Sequence, residues 1–365
     1  MSPELANFDP TVPYNDLPPL PPAEQVETVR ILKAVISARE QLAVLDTACR
    51  LIPNPHIITS TIPLREAQAS TEIENIVTTN DELFRAAWDV DLDPSPATKE
   101  ALRYREALHT GVTHLAERPV SVKTAELVGG ILLGRTALIR STPGTYIGDP
   151  VAQTRVYTPP EGQRVIENHL SAWEKFIYSD HELDPLVLMA LTHYQFEAIH
   201  PFHDGNGRTG RILNVLLLIQ EGLLELPVLY LSGFIVANKT EYYRLLRKVT
   251  EHGAWEEWLL FMLRGVEQAA RSAIRLINSL RELQESTVAE IRALGNIQPA
   301  AEVSELLLVN PYVRIQDVID AELAKRQTAS GWLASLVAAG ILQELKIGRQ
   351  KIFINTRALS ILTST

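Results

Sequence analysis

Cysteine is nearly absent. The 365 residues include one, Cys49, so an internal disulfide and any cysteine-based metal site are excluded. That usage fits a reducing compartment, and Cys49 itself reads as a small apolar core residue. Positive charge is also short: 34 Lys and Arg stand against 44 Asp and Glu, a formal net charge of −10. This argues against nucleic-acid binding by the molecule as a whole and leaves room only for a local basic patch. Long apolar runs are missing as well. A stretch such as residues 212–219 is far below the ~20 residues a bilayer needs and is interrupted by Asn214. Residues 1–22 are rich in proline and carry Glu4, Asp9 and Asp16 without any Lys or Arg, which is not the pattern of a secretory signal. A cytoplasmic location is therefore expected.

What is present is the composition of an ordinary globular protein, 46% hydrophobic and 21% charged, long enough for two or three domains. After the proline-rich arm, expected to lie extended over the surface, Val26, Val29, Ile31, Leu32, Val35 and Ile36 recur at helical spacing and predict a helix over 23–51. Thr61, Ile62 and Pro63 look like the start of a helix reaching about Ile76, and Ser95 before Pro96 starts another to about Leu115. A short helix is expected over 121–135. From Arg140 to Pro160 the glycines, prolines and the Thr145, Tyr146, Ile147 cluster predict a β-hairpin. Helical periodicity returns over 164–178, 185–199, 208–220, 240–252 and 255–293. Beyond Leu294, three short helices (302–309, 315–321, 328–339) precede two strands within 341–354, an order that resembles a winged helix-turn-helix.

The segment from His200 to Arg211, His-Pro-Phe-His-Asp-Gly-Asn-Gly-Arg-Thr-Gly-Arg, concentrates chemistry. Pro201 disfavours the α region at His200, so a helix should end there with the imidazole at its rim. Asn206 reads as an N-cap, and Gly205 and Gly207 let backbone N–H groups turn inward, making an anion cradle at a helix N-terminus. Arg208 and Arg211 sit on the first turn, where the macrodipole disfavours positive charge unless an anion is bound; a polyphosphate would supply it. Asp204 is a hard oxygen ligand that suits Mg²⁺ bridging phosphates, and His200 is a general base near neutral pH. A transition-metal site from His200, His203 and Asp204 would leave the glycines and arginines unexplained. His193, one heptad earlier, is expected to pack inside the bundle.

At every specified position this segment matches H-x-F-x-D/E-G-N-G-R-x-x-R, and the chain resembles the Fic family. The resemblance implies a mainly α fold: a Fic helical bundle with a β-hairpin flap, plus a C-terminal winged helix-turn-helix domain. The organisation expected is an N-terminal arm and helix (1–60), a catalytic core (61–293) holding an inhibitory helix at 61–76 and the flap at 140–160, and the winged helix (294–365). It also implies a protein adenylyltransferase that moves AMP from ATP to a Ser, Thr or Tyr hydroxyl of a target protein, the chain itself included. His200 would activate the hydroxyl, Asp204 hold Mg²⁺, and Gly205, Asn206, Gly207, Arg208 and Arg211 bind phosphates. Phe202 would anchor the loop, while Thr145, Tyr146 and Ile147 of the flap would align the target by strand addition. Self-inhibited relatives carry S/T-x-x-x-E-G/N on a helix, matched here from Ser70 through Glu74 to Asn75, which implies a salt bridge from Glu74 to Arg211 that blocks placement of the γ-phosphate.

The resemblance leaves rivals: phosphoryl or phosphocholine transfer, removal of AMP with Glu74 orienting a water, or a winged-helix transcriptional regulator whose Fic core senses nucleotide. In the tail, the helix at 328–339 could enter a major groove with Lys325, Arg326, Lys346, Arg349 and Lys351 on phosphates. Residues 300–365 hold seven Lys and Arg against six Asp and Glu, so DNA binding and protein docking, including a homodimer, both stay open.

Overall fold

The computed structural model describes residues 8–52, 54–88, 90, 93–149, 154–347 and 350–363. The fold is mainly helical. Helices α1 (Val29–Arg50), α2 (His56–Ile73), α3 (Asn80–Ala87), α4 (Pro96–Leu115) and α5 (Val122–Leu133) precede a hairpin of β1 (Ile147–Asp149) and β2 (Thr154–Tyr157). Then come α6 (Gln163–Ile177), α7 (Pro185–Ile199), α8 (Asn206–Gln220), α9 (Leu231–Ala237), α10 (Lys239–His252) and the 40-residue α11 (Trp255–Leu294). The tail is α12 (Ala300–Val309), β3 (Tyr312–Val313), α13 (Ile315–Asp320), α14 (Arg326–Ala338), β4 (Gln343–Ile347), β5 (Gln350–Ile354) and α15 (Thr356–Thr363).

Helices α7 and α8 are buried on nearly every face, the position of helices at the centre of a bundle. Side chains from Leu186 to Ile199 and from Ile212 to Leu218 are buried almost without a break, so the loop from His200 to Gly205 joins the two most deeply packed helices. Its geometry is fixed from both sides. Trp258 of α11 lies in the same core, its Nε1 donating to the Ala190 carbonyl at 2.8 Å. Long α11 spans about 60 Å at helical rise and belongs to two cores: Leu283 packs with the bundle, whereas Ile291 packs with Ile297, Val303, Leu307, Leu333 and Phe353 of the tail.

Several boundaries differ from the sequence reading. The first helix begins at Val29 rather than Ala23, because Thr28 Oγ1 accepts the Ile31 N–H at 3.3 Å and caps it. The helix expected over 61–76 runs from His56 to Ile73, so Pro63 is internal and not at the first turn. Pro63 withholds an N–H from the Thr59 carbonyl, but Ile57, Ile58, Ile62 and Leu64 are buried around it, and packing overrides the local rule. Short α3, α9 and α15 and the two-residue β3 were not expected from the sequence, each spanning eight residues or fewer. In the tail β3 and β4 both pair antiparallel with β5, giving sheet order β3-β5-β4. Gly348 and Arg349 lie outside the described residues, as do 1–7 of the arm and 150–153 of the hairpin.

Candidate active site

Helix α7 stops at Ile199 because His200 adopts a left-handed backbone, φ +50°, ψ +57°, that a non-glycine residue takes up only when its surroundings hold it there. Arg140, which no local pattern singled out, does the holding. Its Nε donates to the His200 carbonyl at 2.7 Å, its Nη2 to the Ile199 carbonyl at 3.2 Å and to that of Pro160, and its backbone N–H to the Pro201 carbonyl at 2.9 Å. One buried guanidinium therefore ties the far end of the hairpin to the loop. The His200 Nδ1 is buried without a hydrogen-bond partner among the described residues. Burial, with the Arg140 charge beside it, lowers the imidazole to about 4, against smaller opposing effects of Glu74, the Glu197 carbonyl and Asp204. Near neutral pH the ring is uncharged and able to accept a proton.

Phe202 sits 1% exposed, edge-on to Phe196 with ring centroids 6.3 Å apart. Asn206 brackets its backbone: Oδ1 accepts the Phe202 N–H and Nδ2 donates to the Phe202 carbonyl, each at 2.8 Å. This corrects the reading of Asn206 as the N-cap. Gly205, with φ +76°, is the cap, Asn206 is the first residue of α8, and its buried side chain is engaged with the loop rather than turned to the cradle. The first backbone N–H groups of α8 have no partner within the helix and point out of its N-terminus by helix geometry. Asp204 is largely exposed; its Oδ1 accepts the Gly205 N–H at 2.6 Å and lies 3.4 Å from Arg208 Nη2. Among the described residues no group of three or more His, Cys, Asp and Glu is arranged to hold a metal ion.

Both arginines are buried on α8 and both have acidic partners. Arg208 donates to Glu100 of α4, a partner no local pattern announced. Arg211 donates through Nε to Ser70 Oγ at 2.8 Å, and through Nη2 to the Ser70 carbonyl at 2.9 Å and to Glu74 Oε1 at 2.7 Å. The two residues from the far N-terminal motif are thus gathered onto one guanidinium. Burial alone would raise the Glu74 carboxyl, but Arg211 beside it holds it below the usual range; reciprocally, Glu74 raises Arg211 in spite of its burial. Asn75, the last residue of that motif, has φ +63°, which is why glycine or asparagine stands there: it turns the chain away directly after Glu74. Glu66, one turn before Ser70, fastens α2 to α9 by accepting the Ser232 N–H at 2.9 Å and its hydroxyl, together with Tyr104 Oη at 3.2 Å. A Cβ at Gly207 would lie 2.3 Å from Glu74 Oε1, so any larger residue there would have to displace that carboxylate from Arg211.

Glu197 was also missed. Its Oε1 is buried without a partner among the described residues, and burial, partly offset by Arg211, raises its carboxyl to about 7. His193 packs in the bundle as expected, with Nε2 2.9 Å from Tyr242 Oη and burial pushing it down to about 3. Beside Glu74 a cavity of about 380 Å³ opens, walled by Ile73, Glu197, Tyr243, Leu246 and the hairpin residues Ile147 and Tyr157. In the hairpin Ile147 pairs with Tyr157 and Gly148 with Arg155, a bulge lying between them, and Gly148 is required because a Cβ would overlap the Thr154 carbonyl. Thr145 and Tyr146 flank it half-buried, Tyr146 under the Arg155 guanidinium at 4.8 Å.

Residues 32–113 match the Fic/DOC family N-terminal domain, 128–218 the Fic/DOC family domain, and 283–358 the C-terminal domain described for protein adenylyltransferase SoFic-like proteins. A protein adenylyltransferase Fic of Nematostella vectensis is 31% identical over 111 residues, 30% of this chain and 24% of that protein. A probable protein adenylyltransferase of Aquifex aeolicus is 32% identical over 95 residues, 26% of this chain and 27% of the relative. The chain thus spans about a quarter or less of the length of these curated relatives. Among solved structures, a Fic family protein from Desulfovibrio desulfuricans superposes with a TM-score of 0.61 at 20% identity, covering 92% of this chain and 98% of the other. A C. elegans Fic-1 fragment gives 0.52 at 19% identity over 68% and 73%.

Proposed function

Because the chain belongs to the Fic/DOC family, we propose that it is a protein adenylyltransferase that moves AMP from ATP onto a hydroxyl of a target protein. The observation that carries this reading is the convergence of an uncharged imidazole, a glycine cradle at the N-terminus of α8, two buried arginines and an adjoining cavity. ATP would lay its phosphates on the backbone N–H groups of Asn206 and Gly207 at the start of α8, the Gly205 N–H being bonded to Asp204, with Arg208 and Arg211 on the β and γ phosphates. The target oxygen attacks the α-phosphorus as its proton passes to His200. The bond from that phosphorus to the bridging oxygen breaks, and pyrophosphate leaves with the electron pair. Positioning and charge stabilisation supply most of the acceleration.

Magnesium fits the donor set, since it characteristically takes one or two carboxylates plus phosphate oxygens rather than a protein cage, and Asp204 is an exposed carboxylate beside the cradle. When bound, the ion would neutralise charge on the phosphates. The Glu74 to Arg211 pair supports self-inhibition, because a guanidinium engaged by a carboxylate is not available to a γ-phosphate. The outer edge of β1 is the edge on which a target strand would add, with Thr145, Tyr146 and Ile147 as contacts, because residues of the N-terminal arm bond along the β2 side. Intact-mass measurement after incubation with ATP tests the reading. An added AMP on a partner protein or on the chain supports it, whereas no modification even by Glu74→Gly leaves a nucleotide sensor.

The pH dependence follows from His200. With the imidazole lowered to about 4, the base form is complete well above that value, so kcat/KM should be flat from about pH 6 to 8 and fall only as pH drops toward about 4. Loss of half the rate near pH 6.5 would show a base of ordinary basicity instead.

For the tail, the order α12, β3, α13, α14, β4, β5 supports a winged helix-turn-helix. No helix among the described residues is long and apolar enough to cross a membrane. Lys325, Arg326, Lys346 and Lys351 are exposed, although Lys351 pairs with Glu344 at 2.9 Å. If these residues bind DNA, affinity should fall steeply with added salt in a gel-shift titration, as each phosphate contact releases counterions. No binding at low salt would assign the tail to docking, a second copy of the chain included.

A further inference from the structure

The N-terminal arm has no part in the chemistry above, yet it is fastened to the site at point after point. Thr158 Oγ1 donates to the Pro10 carbonyl at 2.6 Å, and the Tyr14 N–H donates to the Thr158 carbonyl at 3.0 Å. Asn15 Oδ1 accepts the Glu161 N–H at 2.8 Å, and its carbonyl lies 2.9 Å from His169 Nε2. Gln195 Nε2 on α7 donates to the Pro18 carbonyl at 3.0 Å, and Leu17 is buried. These bonds run along the end of the hairpin and onto α6 and α7, so residues 8–18 form a structural strap. At its start Phe8 lies nearly parallel to Tyr157, with centroids 6.1 Å apart and planes at 18°, while Tyr14 meets both rings edge-on.

Phe8 also forms part of the wall of the cavity beside Glu74, alongside Ile73, Tyr157 and Leu246. The position of that cavity matters. A Cβ built on Gly207 would fall 2.3 Å from Glu74 Oε1, and Glu74 also lines the cavity, so a ligand with its anionic end at the start of α8 would extend past Glu74 into a mainly apolar space walled by Ile73, Tyr157, Tyr243 and Leu246. With Phe8 in place the space is still about 380 Å³, within the range of small-ligand sites. The ring therefore acts as a wall and not as a plug.

We infer that Phe8, carried by the strap of residues 8–18, is a specificity-determining residue that closes over the base of the bound nucleotide. The inference rests on the reading that this site takes ATP. An aromatic side chain against a base contributes binding that a phosphate alone cannot collect, and its loss typically weakens affinity about 5- to 150-fold. Phe8 is half-buried and packs on the outside of the main core, so its replacement removes none of the fully buried side chains.

Calorimetric titration with ATP and with inorganic triphosphate, on the full chain, tests it. Phe8→Ala should lose affinity for ATP by about 5- to 150-fold, keep its affinity for triphosphate, and be restored by Phe8→Trp. At saturating ATP the turnover of Phe8→Ala in a Glu74→Gly background should match that background alone, placing the whole effect in KM. Unchanged or tighter ATP binding by Phe8→Ala overturns the inference, the latter by showing a plug. A parallel loss of triphosphate affinity overturns it too, because the strap would then only support the loop. If the wild-type chain bound no ATP, the reading of the site would fail together with the inference; a wild-type chain that binds ATP with Phe8→Ala unaltered removes Phe8 alone.

Discussion

Replacing His200 by alanine should lower AMP transfer by about 10²- to 10⁴-fold while leaving the dissociation constant for ATP nearly unchanged. The separation follows from where the imidazole stands. It lies at the end of α7, outside the cradle that begins at Gly205, and makes no contact that a phosphate would need. Its left-handed backbone is held by the Arg140 bonds to the carbonyls of residues 199, 200 and 201, none of which depends on the side chain. The alanine variant should therefore keep the loop, because Phe202 stays buried and bracketed by Asn206. Single-turnover kinetics with calorimetry on the same preparation separate the two quantities. Transfer at the wild-type rate would remove His200 from the mechanism, and a matching collapse of ATP affinity would make it a structural residue.

The backbone course of the loop was legible where it is written contiguously. From His200 to Arg211 the spacing of proline and glycines encodes a helix end and a helix start, and both occur there. One local rule failed inside the same segment. Asn206 satisfies the composition of an N-cap, but its amide reaches backward to Phe202, and a glycine with positive φ takes the cap instead. Contacts formed across long sequence separations left no local mark. Arg140 and His200 are 60 residues apart, Glu100 and Arg208 108, and Glu66 and Ser232 166. Arg140, Glu100 and Glu66 have no periodicity or motif that would set them apart from a surface charge. Glu74 is equally remote from Arg211, at 137 residues, and was reachable only because a resemblance supplied its pattern. Pro63 shows the same limit for the fold: its local preference marks a helix start, and burial of the isoleucines around it extends the helix upstream.

Glu74→Gly should raise AMP transfer, self-modification included, by about 5- to 150-fold, the range expected of a coupling worth ~1–3 kcal/mol. Arg211 is nearly inaccessible, 2% exposed, and its Nη2 already donates to Glu74 and to the Ser70 carbonyl. A guanidinium in that state cannot also grip a γ-phosphate with the same face, so ATP would bind with its α-phosphorus out of line with the hydroxyl held at His200. Glycine at position 74 removes the carboxylate and little else. The residue is the C-cap of α2, at φ −85°, ψ +13°, a conformation glycine adopts freely, and the Glu66 bonds to Ser232 keep α2 docked on α9. The Ser70 bonds to Arg211 persist, which keeps the guanidinium aimed while freeing one of its edges. Arg211→Ala should then be slow with or without Glu74, because the freed group is the one that acts; if α2 were merely loosened by the glycine, the double variant would be as fast as Glu74→Gly. Labelling with α-phosphate-labelled ATP measures both. A Glu74→Gly chain that labels itself no faster than wild type makes the Glu74 to Arg211 pair a structural bond, and α2 a scaffold helix.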